Sequence, residues 1–208
     1  MAEASASIPG WPDEVTGLLS NLLLCVVSLG SAVQTFQINR GTSAGFLLQA
    51  LVPLLDTATH LAALPGLGLE AARHSPDNAW VSTVVGLPLL AFGFHWLNGD
   101  HATANALLGG ALLLLLAGSW GSFSEEGKAM VAHSVTSVVS ISVLIASIFT
   151  GNACGIAGSL LVGAAGVLAG TQLRRLLVLR KEDAVCCLMA LANMTLRRAL
   201  QAQHRELD

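Results

Sequence analysis

The stretch Gly45–Leu64, GFLLQALVPLLDTATHLAAL, decides the fold class. A helix of about 20 apolar residues crosses a hydrocarbon layer about 30 Å thick, at about 1.5 Å per residue. This stretch has that length and also holds Asp56, the one carboxylate inside a long apolar run. His60 follows four residues later, so on a helix the two side chains share a face. Gln49 and Pro53 fall on the same stripe, and Pro53 lacks the N–H that would bond the Gln49 carbonyl. An acid at membrane depth is costly, so Asp56 is expected to have a partner or a task.

The rest of the chain is written in the same style. Of 208 residues, 53% are hydrophobic and 11% charged, and the mean hydropathy is +0.67. Soluble domains carry about 25% charged residues. A deficit spread over most of the length means that lipid covers the apolar surface. Six spans are read, at about 15–38, 45–64, 79–97, 103–120, 129–150 and 153–173, joined by short polar turns such as Asn39–Thr42 and Asn98–His101. The expected class is all-α, a polytopic transmembrane bundle of six helices. Residues 1–14 form a short polar tail without the positive start of a secretory signal, although small residues near Gly30 and Ala32 resemble a cleavage site. Residues 174–208 form a basic tail whose apolar part, Ala184–Leu196, is too short to span. A C-terminal amphipathic cytoplasmic helix, lying at the interface or facing a partner, is expected there.

Charge sets the expected orientation. With a cytoplasmic N-terminus and six spans, nine of the ten basic residues fall on one side and only Arg40 on the other. A seventh crossing over Ala184–Leu200 is set aside as carrying Arg174, Arg175, Arg180 and Lys181 outside. Both termini are therefore expected in the cytoplasm, with the chain in the endoplasmic reticulum, Golgi or plasma membrane.

The motifs exclude more than they assign. GxSxG, P-loop and GxGxxG patterns are absent, as are CxxC and zinc-finger spacings. No basic domain suggests nucleic acid as a partner. Depth counting puts Asp56 near the membrane middle, with His60 and His133 in the inner half, and Gln49 near the outer surface. Asp56, His60 and His133 are thus the candidates for a proton or ion relay, weighed against a structural hydrogen bond and against a metal-dependent lipid hydrolase using the same three side chains. No resident metal or cofactor is expected. A second polar group, His95, Asn98, Asp100, His101 and Asn105, is expected at the outer surface.

Span 5 carries a polar seam of His133, Ser137, Ser140 and Ser147, and span 6 a small-residue face of Gly155, Ser159, Gly163, Gly166 and Gly170. Such a face lets helix backbones approach closely, within the bundle or between two copies. Arg174, Arg175, Arg180 and Lys181 serve orientation or attract anionic lipid. Cys186 and Cys187 stand where palmitoylation occurs, and the sequon Asn193–Thr195 is expected to go unused. The leading expectation is a non-enzymatic membrane component that packs against partner proteins or lipids. A small transporter or channel using Asp56 and His60 comes second, and the hydrolase third.

Overall fold

A computed structural model describes residues 11–62, 76–171, 175–176 and 179–207. The helices are α1 (Trp11–Thr35), α2 (Arg40–Ala62), α3 (Pro76–Val81), α4 (Leu87–Leu97), α5 (His101–Ser119), α6 (Glu125–Phe149), α7 (Ala153–Gly170) and α8 (Lys181–Leu207). A π-helical turn, Ser82–Gly86, joins α3 to α4 into one rod. A two-residue ladder, β1 (Arg175–Leu176) with antiparallel β2 (Leu179–Arg180), precedes α8. The end of the second expected span, the 66–75 loop and residues 1–10 lie outside the described residues.

Caps explain where the helices begin. Asn39 accepts the Thr42 N–H at 3.0 Å, so α2 starts inside the expected Asn39–Thr42 turn. Asp100 accepts from Thr103 N–H at 3.1 Å, and Asn152 from Gly155 N–H at 3.0 Å. Ser124 accepts from Gly127 N–H at 3.2 Å, with Glu125 and Glu126 in the first turn, where the helix dipole favours acids. That cap starts α6 four residues before the expected Ala129. The links 98–100 and 150–152 close on Gly99 and Gly151 at φ +76 and +66, a left-handed conformation that glycine adopts without penalty. Neither proline breaks its rod. Pro53 sits within continuous α2, and Pro88 sits in the first turn of α4, directly after the π-helical turn, where a missing N–H is tolerated.

The helices close into a ring. α1 packs on α2 and α8, α2 on the π-helical turn and α4, α4 on α6, α6 on α7, and α7 on α8. α5 stands outside, against α4 and the π-helical turn. It carries the densest apolar run, yet Leu112, Leu113 and Leu116 are 48%, 69% and 51% exposed. α1 likewise turns Leu19, Val26 and Val33 outward. Apolar faces pointing away from the core need lipid around them. Among the described residues, five segments have the length and composition to cross a membrane: Val15–Thr35, Asn78–Leu97, His101–Ser119, Glu125–Phe149 and Ala153–Gly170.

α8 is the main departure from expectation. It is not a surface tail: its partner is the bundle itself. Ser20 bonds Asp183, Ser28 bonds Asn193, and Gln34 bonds Gln201. Both members of each pair advance together, so α8 runs parallel to α1 over its length. Ala192, Leu196, Ala199 and Leu200 are buried with it. The link before α8 therefore lies at the α1 N-terminal end, whichever way α8 finishes, which removes the reason for setting a seventh crossing aside. The sequon asparagine, Asn193, has no exposed surface (0%).

Candidate functional site

The α6–α7 pair shows how the bundle is tightened. Ser140 Oγ donates to the Ser159 carbonyl at 2.7 Å. A Cβ added at Gly163 would meet Ser140 Oγ at 2.8 Å, one at Gly166 would meet Thr136 Cγ2 at 2.6 Å, and one at Gly170 would meet the His133 ring at 2.6 Å. Gly155 faces Ser147 in the same way. The small-residue face of α7 thus receives the polar seam of α6 within one chain. Ser137 points outward, and Thr136 stands in its place.

Toward the α1 N-terminal end the ring does not fill. A cavity of about 330 Å³ opens there, within the range of small-molecule sites. α1 contributes Asn21 and Leu24, α2 contributes Gln49, Val52, Pro53 and Asp56, and the π-helical turn contributes Ser82 and Thr83. Ala132, His133 and Thr136 face it from α6, Gly166 and Ala169 from α7, and Val185, Cys186 and Met189 from α8. The lining is mostly apolar, with a few convergent polar groups. Farther along the axis, Leu90, Phe94, Val139, Val143, Val162 and Leu196 fill the ring, leaving only a void of about 10 Å³. The cavity is blind on that side.

Asp56 and His133 line this one cavity. The His60 side chain lies outside the described residues. Among the described residues, no three His, Cys, Asp or Glu side chains gather closely enough to hold a metal ion. Cys186 donates to Asn21 Oδ1 at 3.4 Å in the cavity wall. Gln49 is 6% exposed, and neither its amide nitrogen nor its amide oxygen has a hydrogen-bond partner. α2 begins at Arg40, so Gln49 stands about 14 Å along the helix from its start. Its Cγ lies close to Gly86 of the π-helical turn, where a Cβ would sit 3.5 Å away. The sequence marks Gln49 only as one member of a polar stripe. Its orphaned amide depends on what the π-helical turn sets opposite it.

The remaining candidates are engaged structurally. Arg180 Nε donates to Asp183 Oδ2 at 3.2 Å. Lys181 Nζ donates to the Ala169 and Thr171 carbonyls, each at 3.2 Å, closing the α7 C-terminus. Arg174 and the Arg175 side chain lie outside the described residues. At the other end, His95 Nδ1 lies 3.4 Å from Asp100 Oδ2, and Gln203 Nε2 donates to Asn98 Oδ1 at 2.8 Å. The hydrogen bonds from Thr103, with a smaller contribution from His95, hold the Asp100 carboxyl below the usual aspartate range.

A ring of helices with lipid-facing apolar flanks and a cavity at one end defines a multi-pass integral membrane protein of the all-α class. Within that class the chain belongs to the transmembrane protein 276 family. It is 43% identical to transmembrane protein 276 of Homo sapiens over 185 residues, 89% of this chain and 91% of that one. It is 45% identical to transmembrane protein 276 of Bos taurus over 191 residues, 91% of this chain and 94% of the relative. No family model matches the chain, and no solved structure matches it.

Proposed function

We propose that the protein is a non-enzymatic membrane component that takes a lipid-like molecule into the cavity between α1, α2, the π-helical turn, α6, α7 and α8. The observation that carries this reading is the blind cavity of about 330 Å³, apolar for most of its wall and placed within a lipid-bathed bundle. An apolar wall takes up an acyl or ring body, and the few polar groups orient it. Native mass measurement of protein in mild detergent tests this. A bound lipid lost when Ala132→Trp fills the cavity supports the reading; its persistence in that variant overturns it.

One observation favours a second reading. Asp56 and His133 share the cavity, as a small transporter moving protons or a solute would need. Proton flux in proteoliposomes that disappears in Asp56→Asn supports transport; the same flux in wild type, Asp56→Asn and protein-free vesicles rejects it.

The parallel course of α8 and α1 supports a seventh crossing, with the termini on opposite sides of the membrane. Arg73, Lys128, Arg174, Arg175, Arg180 and Lys181 then share the N-terminal side, against Arg40, Arg197, Arg198 and Arg205. The excess still favours a cytoplasmic N-terminus. Membranes of the endoplasmic reticulum, the Golgi and the cell surface all suit such a chain.

A further inference from the structure

We infer that the cavity takes its ligand tail first, and that Asn21 and His133 hold an oxygen-bearing, hydrogen-bond-accepting head near the rim. This inference rests on the lipid-binding reading above and adds the orientation of the ligand and the side chains that meet its head.

Contacts between helices fix the levels. Lys181, at the start of α8, donates to the Ala169 and Thr171 carbonyls at the end of α7. A Cβ at Gly170 would meet the His133 ring at 2.6 Å, so His133 of α6 stands level with that end, at the rim. Cys186 lies about 7.5 Å along α8 from Lys181. Its bond to Asn21 Oδ1 at 3.4 Å sets Asn21 of α1 at the same depth. Leu24 of α1 and Met189 of α8 follow about 4.5 Å further in. Leu87 lines both the cavity and the small void beyond it, so it marks the floor.

Free donors gather in the upper part and are absent below it. The His133 ring lines the cavity, is only partly buried and makes no hydrogen bond among the described residues. Asn21 accepts from Cys186 at Oδ1, which leaves its Nδ2 hydrogens for a ligand oxygen. Asp56 also lines the wall, but it is already engaged within the protein and is not called on. Ser82 donates to the Leu48 carbonyl at 2.9 Å and Thr83 to the Ala79 carbonyl at 3.0 Å. Thr136 donates to the Ala132 carbonyl at 2.8 Å, and both polar atoms of the Gln49 amide are shut off by burial. Leu24, Val52, Leu87 and Met189 are what the lower wall presents to a ligand. A head oxygen carried to that level would give up its hydrogen bonds to water and find no donor in return. An acyl or ring body placed there removes apolar surface from water. Nearer the rim the balance reverses, because the imidazole and the Asn21 amide meet the head.

The test uses the full chain in phosphatidylcholine vesicles with two photoactivatable 1-acylglycerols. One carries its diazirine at the chain end, the other beside the ester carbonyl. Labelled residues are mapped by mass spectrometry, with unlabelled 1-acylglycerol as competitor. The chain-end probe should label Leu24, Leu87 or Met189, and the ester-side probe Asn21, His133 or Cys186. His133→Phe and Asn21→Leu should each lower competable labelling several-fold. Overlapping or reversed label positions in the wild type overturn the tail-first orientation and leave cavity binding standing. Unchanged labelling in either variant overturns the assignment of the head to that side chain. Absence of competable labelling at every cavity residue, with both probes, overturns the lipid-binding reading itself. The wild-type map needs no variant, so it stands even where Asn21→Leu, which loses the bond from Cys186, folds poorly.

Discussion

Asn193 Nδ2 donates a hydrogen bond to Ser28 Oγ at 2.9 Å, and both residues are wholly buried. It joins the middle of α8 to the middle of α1, 165 residues apart in the chain. The contact lies in the interior, so neither member has water as an alternative partner. Asn193→Ala is expected to destabilise the protein by about 1–2 kcal/mol, read as midpoint loss in thermal or denaturant unfolding in detergent. A double-mutant cycle with Ser28→Ala should show a coupling of about 0.5–1.5 kcal/mol, the size found for such bonds in membranes. Strict additivity would remove the pairing of α8 with α1.

The same alignment predicts where the C-terminus emerges. An epitope after Leu207 should be accessible from the side that reaches an epitope at Gly99, and not from the side that reaches one at Ser122. Sharing the Ser122 side would return α8 to the interior face of a six-crossing topology.

The glycines of α7 and α5 should respond differently to bulk. Gly166→Leu places its side chain against Thr136 and should cost about 1–3 kcal/mol or more through overpacking. Nothing lies within 4 Å of a Cβ at Gly109, so Gly109→Leu on the lipid-facing α5 should stay within about 0.5 kcal/mol of the wild type. Comparable losses at the two sites would contradict the α6–α7 contact.

Asn152 serves two helices at once. It accepts from Gly155 N–H at the start of α7 and donates from Nδ2 to the Ala199 carbonyl of α8 at 2.9 Å. Asn152→Ala loses a cap and an interhelical bond, for an expected cost of about 1–2 kcal/mol. Asn152→Asp keeps the cap and loses the bond to Ala199, so it should fall between alanine and the wild type.

Asp100 links the α5 cap to pH. Its carboxyl is held below the usual range chiefly by the Thr103 hydrogen bonds. Its contribution is therefore present above the unfolded-state value and is lost as the pH falls through the lower folded-state value. Acid unfolding curves of the wild type should bend downward in that window, and those of Asp100→Asn should bend less.

Much of this protein is legible in composition and period. The spans of α1, α4, α5, α6 and α7 follow from apolar length, and the turns between them from Gly, Asn and Asp at the caps. The α7 face of Gly155, Gly163, Gly166 and Gly170 is visible as spacing, because a helix repeats its surface every three or four residues. α8 was harder to read. Its stretch from Ala184 to Leu196 is short by the measure of lipid exposure, and Arg197 and Arg198 follow at once. Pairing decided its place, since Ser20, Ser28 and Gln34 of α1 meet polar groups that lipid would not accept. Periodicity put Gln49, Pro53 and Asp56 on one stripe of α2, while the distance between that stripe and His133 on α6 has no local signature. Sequence by itself determined a lipid-bathed all-α bundle, because hydrophobicity and helix period are properties of neighbouring residues. Only the tertiary structure decided the closed ring, the course of α8 and the cavity with its orphaned Gln49 amide, because those depend on which faces meet across more than a hundred residues of chain.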